Sequence, residues 1–507
     1  MLKVTIEEQK GKKCGMEKFV SLKNVSKIYQ MGEVKIRAVD GIDFDIAKGE
    51  FVVIVGPSGA GKTTVLNILG GMDTATTGQV LVDGKDIAKY TQKQLTGYRR
   101  DDIGFVFQFY NLVQNLTALE NVELASQISK DPLDEKMVLL GTFFLFLPYE
   151  VASVGIACIL LQAFSRHKLV KAIKNQTGAI FLYSFIGLEF VVSLLYSNWN
   201  GLGNTCLFVL IGLYGAYYRK SIKKNSFEVM CDLIVILSVF AAIYGLYQFN
   251  QISIANGRTF LEFHIFNSPT RRITSTFMNA NIYAMIIDFV CVICMYRFVK
   301  NDNILCKIGY FMVALFNFFV LYLTGSRTAL LPFVVIFPIF LYCVRWKKLF
   351  ITSIVFELCV CGLVFLKPTL IPRISDMSTF ASRIKIWKTA FLCISMYPFF
   401  GWGPQTYKKF YPLVNGHKAP HAHNIYIDSI LSYGIIGTII LLAYIFVLNK
   451  EIFVSNTRKE NPALFGMMMC FIAIVLIYGL LDCTLNIVAT GTLCFIILNS
   501  ACMYKEK

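Results

Sequence analysis

Charge is scarce in this 507-residue sequence: 16% of residues are Asp, Glu, Lys or Arg, against about 25% in ordinary soluble domains. So few charges cannot clothe a large water-facing surface, and a hydrophobic share of 55% points instead to extensive contact with lipid. Histidine is scarce too, with five residues, so each invites a question about its use. The fifteen cysteines fall mostly inside apolar runs, at spacings that make no disulfide framework. Cys291 and Cys294 form a C-x-x-C within one such run, where they read as small apolar filler. The opening MLKVTIEEQKGKK is polar and carries no apolar core of a signal peptide. The net charge of +17 raises the question of nucleic acid. Its Lys and Arg, however, sit in short clusters between apolar runs, the pattern of cytoplasmic loops, so no nucleic-acid partner is expected.

The low charge is not uniform. Residues 1–135 have the composition of a soluble domain, and long uncharged runs dominate from Met137 onward. In the first part the strand-like run 51–55 leads into Gly56-Pro57-Ser58-Gly59-Ala60-Gly61-Lys62-Thr63, followed by a helical pattern that begins at Thr64. This is G-x-x-x-x-G-K-[ST]: glycines let backbone N–H groups turn onto a phosphate, and the helix N-terminus adds its partial positive charge. Lys62 is placed to reach terminal phosphates and the Thr63 hydroxyl to hold Mg²⁺.

The text around it resembles the ABC-transporter ATPase family over about residues 17–135, which implies a partial α/β P-loop domain. By that resemblance Tyr29 is the aromatic that stacks on adenine, and Gln108 in IGFVFQFYNLVQNL is the Q-loop glutamine that approaches Mg²⁺. Gly56, Ser58, Gly59, Gly61, Lys62, Thr63 and Thr64 would line the phosphates. The later signature, the acidic Walker B strand and the switch histidine do not follow Gln108 in the sequence. The expectation is a site for ATP and Mg²⁺ that does not turn ATP over. Its natural partner is an ABC permease or a second ATPase subunit.

From Met137 on, about eleven runs have the length of a membrane-crossing helix: 137–164, 178–197, 203–218, 227–248, 282–299, 307–324, 328–344, 349–366, 425–448, 463–482 and 486–503. Basic linkers such as RKSIKK (219–224) and RWKK (345–348) fall in alternate gaps and mark the cytoplasmic side. That places 249–281, the turn 324–328 and the long loop 367–424 outside. Eleven spans with the tail inside put the start of the first span outside, whereas an ATP-binding segment belongs inside. Pro148 also divides the first run. Both halves look incomplete at one place, which reads as a fusion near residue 136. Five acids lie within apolar runs: Glu189, Asp232, Asp288, Glu357 and Asp428. They share no spacing and read as tolerated structural acids rather than a proton path.

The outward segments carry arginines where the positive-inside bias would forbid them: Arg271 and Arg272, Arg327 in Thr324–Thr328, and Arg373 and Arg383 in the long loop. A diphosphate gives such a placement a reason, since guanidinium forks match phosphate oxygens in pairs. Arg272, Arg327 and Arg383 are the candidates, and Arg271 reads as surface. His423, just before the span 425–448, is the candidate base, with His417 and His421 read as bystanders.

H-x-H-N-x-Y at 421–426 followed by Gly434 and Gly437 is similar to the O-antigen ligase and polymerase family. So are Arg383, Trp387, Ala390, Pro398, Gly401 and Gly403, the T-F-x-N-x-N around Asn279 and Asn281, and G-S-R at 325–327. The resemblance covers about residues 150–500. It implies a polytopic helical glycosyltransferase of the bacterial cytoplasmic membrane, working on the outer face with inversion and without a metal. Such enzymes pass saccharide from an undecaprenyl-diphosphate carrier to a saccharide, lipid or wall acceptor. No D-x-D or His/Asp cluster is read in the outward segments, which agrees with metal independence. Two other readings stand beside it: an ABC ATP-binding subunit fused to membrane segments, and an inactive fusion.

Overall fold

Alternating apolar residues in KFVSLKNVSKIYQM and VKIRAVDGIDFDIA build a long antiparallel hairpin, β2 (Lys18–Met31) and β3 (Val34–Ala47), with Met31 opposite Val34 across a tight turn. In the computed structural model, which describes residues 3–5, 18–105, 132–174, 176–262, 265, 271–368 and 378–504, the chain divides into two units, Met1–Asp131 and Pro132–Lys507.

In the first unit the hairpin continues into β5 (Thr77–Val82) and β6 (Lys85–Asp86), giving the order β3-β2-β5-β6 with every neighbour antiparallel. A separate pair joins β4 (Val53–Val55) to β1 (Lys3–Thr5), also antiparallel. Helix α1 (Lys62–Leu69) lays Val65 and Ile68 on a small core of Leu22, Val25, Val39 and Val80. Helix α2 (Gln92–Asp101) starts from a capping box between Thr91 and Gln94. The α/β expectation is met only in part. Among the described residues no strands pair in parallel, although a P-loop sheet is expected to contain crossover pairs. Such pairs require further strands beyond a crossover, and β4 has only β1 beside it.

The second unit is helical. Six helices among the described residues are long and apolar enough to cross a bilayer, or seven if a bent pair counts as one span. The six are α8 (Lys224–Ala255), α9 (Ala280–Lys300), α10 (Ile304–Thr324), α12 (Lys347–Leu366), α15 (Ile425–Val454) and α17 (Pro462–Gly479). The count of eleven is therefore corrected. The first expected span is two shorter helices, α3 (Pro132–Phe144) and α4 (Tyr149–Ser165), parted before Pro148. The second falls in α6 (Ala179–Leu195), which forms the bent pair with α5 (Lys168–Lys174) in the basic linker before it. The third lies in α7 (Trp199–Ser221), which is rich in Gly and ends in Arg219 and Lys220. α11 (Arg327–Cys343) has seventeen residues with two prolines, and α18 (Val488–Asn499) has twelve. At about 1.5 Å of rise per residue such helices give about 18–26 Å, short of a ~30 Å core.

α9 is the central helix of the six, with 78% of its apolar window buried, and Phe289 stacks on Phe471 of α17 at 4.2 Å. By contrast α12 has no fully buried residue. Of the five internal acids, Asp232 forms a forked ion pair with Arg297 (2.7 and 2.9 Å) and Asp428 accepts the Ala422 amide N–H at 2.9 Å. Cys291 and Cys294 are buried free thiols on α9, as their apolar setting suggested.

One break positions the later elements. α15 is two helices merged across Gly434, whose φ of 63° is left-handed. The amides of Ile435 and Ile436, freed by the break, donate to the carbonyls of Pro398 and Phe399 at 2.8 and 3.0 Å, while Ser432 O accepts from Trp402 and Gly403. A Cβ at Gly434 would lie 2.4 Å from the Phe399 carbonyl carbon. Gly434→Ala is expected to cost at least about 1–3 kcal/mol of stability from backbone strain alone. The Gly362→Ala control on α12, where a Cβ meets nothing within 4 Å, does not lower the midpoint in thermal unfolding of the detergent-solubilised protein.

Candidate active site

A cavity of about 2820 Å³ runs through the second unit. For most of its length its walls are apolar, with Phe318, Phe333, Phe337 and Phe356 along α10, α11 and α12. One end is different in kind. There Arg272, Arg327, Arg383, His417 and His423 all face the same space. The four residues singled out for diphosphate binding and base chemistry thus line one cavity, although they span some 150 positions of chain.

Local structure sets each of them. Asn279 caps α9 through its side chain, and Arg272 lies in the segment before it, donating from Nε to Thr324 O (2.7 Å) and from Nη2 to Asn281 Oδ1 (3.0 Å). Arg327 is the first residue of α11, after the left-handed Gly325 closes α10. Arg383 lies on α13 (Ser378–Met396), the helix whose Trp387 Nε1 donates to Ala422 O at 3.1 Å. Burial first, and the like charge of Arg327 further, lower the pKa of the Arg383 guanidinium, against the opposing pull of Asp482. Arg271 is exposed and does not line the cavity. Arg373 lies outside the described residues.

The sequence reading missed the residue that ties these together. Asp482, three positions past the end of α17, is 4% exposed. Its Oδ2 accepts from Asn281 Nδ2 at 2.5 Å, and its Oδ1 accepts from its neighbour's amide, Cys483 N, at 2.8 Å. Oδ1 also lies 3.4 Å from His423 Nδ1 and 3.6 Å from His421 Nε2. Burial alone would raise its pKa; the His423 hydrogen bond, the two nearby imidazoles and the Cys483 amide outweigh it and hold the carboxyl well below the usual range. The available signal was an acid closing an apolar run in YGLLDC, on the side already assigned to the arginines. His421, taken as a bystander, belongs to the same cluster.

His421, His423 and Asp482 offer three ligand atoms within 4.8 Å of one another, so the expectation that no His/Asp cluster forms here is corrected. Folding assembles the cluster from two distant loops. The His423 amide N–H donates to His421 Nδ1 at 3.1 Å, and that nitrogen must therefore hold a lone pair. Burial first, with His423 and Arg383 adding to it and Asp482 and Asp428 opposing, lowers the His421 pKa, so the ring is neutral and its proton sits on Nε2, the atom a metal would need.

In the first unit α1 starts at Gly61, φ 88°, where a Cβ would lie 2.2 Å from Ala38 O. Lys62 Nζ donates to the loop carbonyls of Gly56 and Pro57 at 2.7 Å each. Ser58, Gly59 and Thr63 are exposed around it and Thr64 is half-buried, so the loop lies open to solvent as a phosphate cradle requires. Tyr29 donates its hydroxyl to Asp73 Oδ2 at 2.5 Å on a half-exposed ring. Gln108 lies outside the described residues.

The O-antigen ligase family matches residues 312–442, and the ABC transporter family matches residues 39–175. The chain joins an O-antigen ligase domain to part of an ABC transporter domain. Arg327, Arg383 and His423 lie inside the ligase match, whereas Arg272 and Asp482 lie outside it and reach the site by folding. The ABC segment is 47% identical over 121 residues to an uncharacterised ABC transporter ATP-binding protein of Thermotoga maritima, covering 24% of this chain and 52% of that protein. It is 42% identical over 117 residues to a macrolide export ATP-binding/permease protein of Brucella abortus, covering 23% and 18%. A solved dimeric ATP-binding cassette with bound ADP and Pi is 43% identical, covering 26% of this chain and 60% of that one, with a TM-score of 0.21. The chain spans about half or less of the curated relatives it matches.

The buried carboxylate of Asp482 leaves a mark on stability. Because the folded pKa of Asp482 is depressed, its contribution is fully present above about pH 4, near the unfolded value, and fades as pH falls below it. Thermal midpoints of wild type should therefore fall from pH 5 to pH 3, while Asp482→Asn starts lower and falls less. Parallel curves would remove this carboxylate as the source.

Proposed function

We propose that the 132–507 unit transfers or polymerises saccharide units from an undecaprenyl-diphosphate carrier at the outer face of the bacterial cytoplasmic membrane, without a metal. The observation that supports this best is the meeting of three guanidinium groups and a His–Asp pair at the polar end of a long apolar cavity. The isoprenoid tail lies along the aromatic wall, and Arg272, Arg327 and Arg383 grip the diphosphate.

In this reading Asp482 holds the proton of His423 on Nδ1, which leaves Nε2 to take a proton from the acceptor hydroxyl. The alkoxide oxygen forms a bond to the anomeric carbon from the face opposite the leaving group. The carbon–oxygen bond to the diphosphate breaks with inversion, and its electrons go to the departing phosphate oxygen. The arginines, already in place, offset that growing charge.

The N-terminal unit binds ATP in this proposal, with Gly56, Ser58, Gly59, Gly61, Lys62 and Thr64 around the phosphates and Tyr29 against adenine. Thr63 and Gln108 would hold Mg²⁺. Turnover needs a carboxylate base and metal ligand that the resemblance does not supply here. An ABC permease or a second ATPase subunit is its partner.

With the full chain in lipid nanodiscs and a carrier-linked oligosaccharide, Arg383→Ala should lower transfer by about 10²–10³-fold, as when one preorganised donor to a developing anion is lost. His423→Ala should lose at least about 10²-fold, and full activity in that variant would end its role as base. The same preparation should hydrolyse no ATP, and turnover abolished by Lys62→Ala would overturn the reading of the first unit.

A further inference from the structure

Glycosyl transfer through His423 works only if the proton of that ring sits on the nitrogen away from the cavity. One hydrogen bond and two close contacts around the ring bear on this. The backbone N–H of His423 points at His421 Nδ1, 3.1 Å away. His421 Nε2 and His423 Nδ1 converge on one oxygen of Asp482, at 3.6 and 3.4 Å. His423 Nδ1 is buried without a hydrogen-bond partner among the described residues, and Asp482 Oδ1 stands 3.4 Å from it.

Resting on the glycosyltransferase reading, we propose that His421 is a positioning residue that fixes the tautomer of His423 through Asp482. The chain of donors runs in one direction. An amide can only donate, so His421 Nδ1 accepts and His421 Nε2 carries its proton toward the carboxylate. A carboxylate with a depressed pKa only accepts, so it takes the Nδ1–H of His423 as well. Nε2 of His423 is left with its lone pair on the ring that lines the cavity. The two imidazoles thus hold opposite tautomers while sharing one acceptor.

The backbone explains why the two histidines stand two residues apart. His423 has φ 48°, a left-handed value that a non-glycine residue adopts only under strain. That turn folds its own amide back onto the preceding histidine and sets the rings 4.3 Å apart at 61°. Asn424 then caps α15 and donates to Leu480 O at 3.0 Å, which ties the turn to the segment that carries Asp482. A third donor, Cys483 N, shares the same oxygen, and Asn281 holds the other. Without His421 the carboxylate loses the imidazole that stands 3.6 Å from it and His423 loses the partner of its amide, so the ring samples both tautomers. A metal in the cluster would need a proton on His421 Nδ1 facing the amide proton of His423, two donors nose to nose.

The test uses the full chain labelled with ¹⁵N-histidine, which has only five such residues. Ring ¹⁵N shifts should show His421 protonated on Nε2 and His423 on Nδ1. In His421→Ala the His423 signals should move toward a mixture of tautomers. Transfer should fall on the order of ten- to a hundredfold in kcat with the KM for the carrier unchanged. His421→Gln, whose amide keeps one acceptor and one donor, should restore much of both readouts. Unchanged His423 shifts in His421→Ala, whatever happens to activity, would overturn the proposal. So would one equivalent of Zn²⁺ bound by wild type and not by His421→Ala. If wild type transfers no saccharide, the glycosyltransferase reading falls, yet the tautomer shift still decides what His421 does.

Discussion

A buried carboxylate is the fixed point of this protein's second unit. Asp482 is withdrawn from water, and an ionised carboxylate there is tolerable only because both oxygens have donors. Those donors come from separate elements: Asn281 at the start of α9, Cys483 after α17, and the histidine turn before α15. Satisfying one charge therefore fixes three helix ends relative to one another. Arg272 joins through Asn281, so one candidate arginine is tied by hydrogen bonds to the carboxylate beside the candidate base. The network couples positions that sequence distance would treat as independent.

Around that point the helices divide the labour. α9 is enclosed and supplies the packed centre, while α10, α11 and α12 leave an aromatic-lined space beside it and bury little of themselves. A wall of that kind favours an apolar chain, and the guanidinium end favours an anion. Only an amphipathic ligand satisfies both. The break at Gly434 belongs to the same design. It releases two amides for the Pro398–Phe399 carbonyls and so holds the segment that links α13 to the histidine turn against α15.

The N-terminal unit follows a different logic. Its loop has the left-handed glycine and the lysine of a phosphate cradle, but its described sheets are antiparallel. A cradle of this type needs only a strand end, a turn and a helix start. Hydrolysis needs acidic strands and a partner surface, which are separate pieces of sequence. The first can persist where the second is missing.

The primary structure alone determined the composition split near residue 136, the phosphate loop, six of the membrane-length helices and the three arginines and His423 that share the cavity. Each of these is a local matter of spacing, charge or apolar length, which a chain displays before it folds. Tertiary structure decided the rest. Five further apolar runs became short, broken or glycine-rich helices: Pro148 parts the first run, and the 23-residue third helix is long enough but too polar. The roles of Asp482 and His421 were illegible because a carboxylate's meaning lies in its donors, and these come from loops far apart in the chain that meet only in the folded protein.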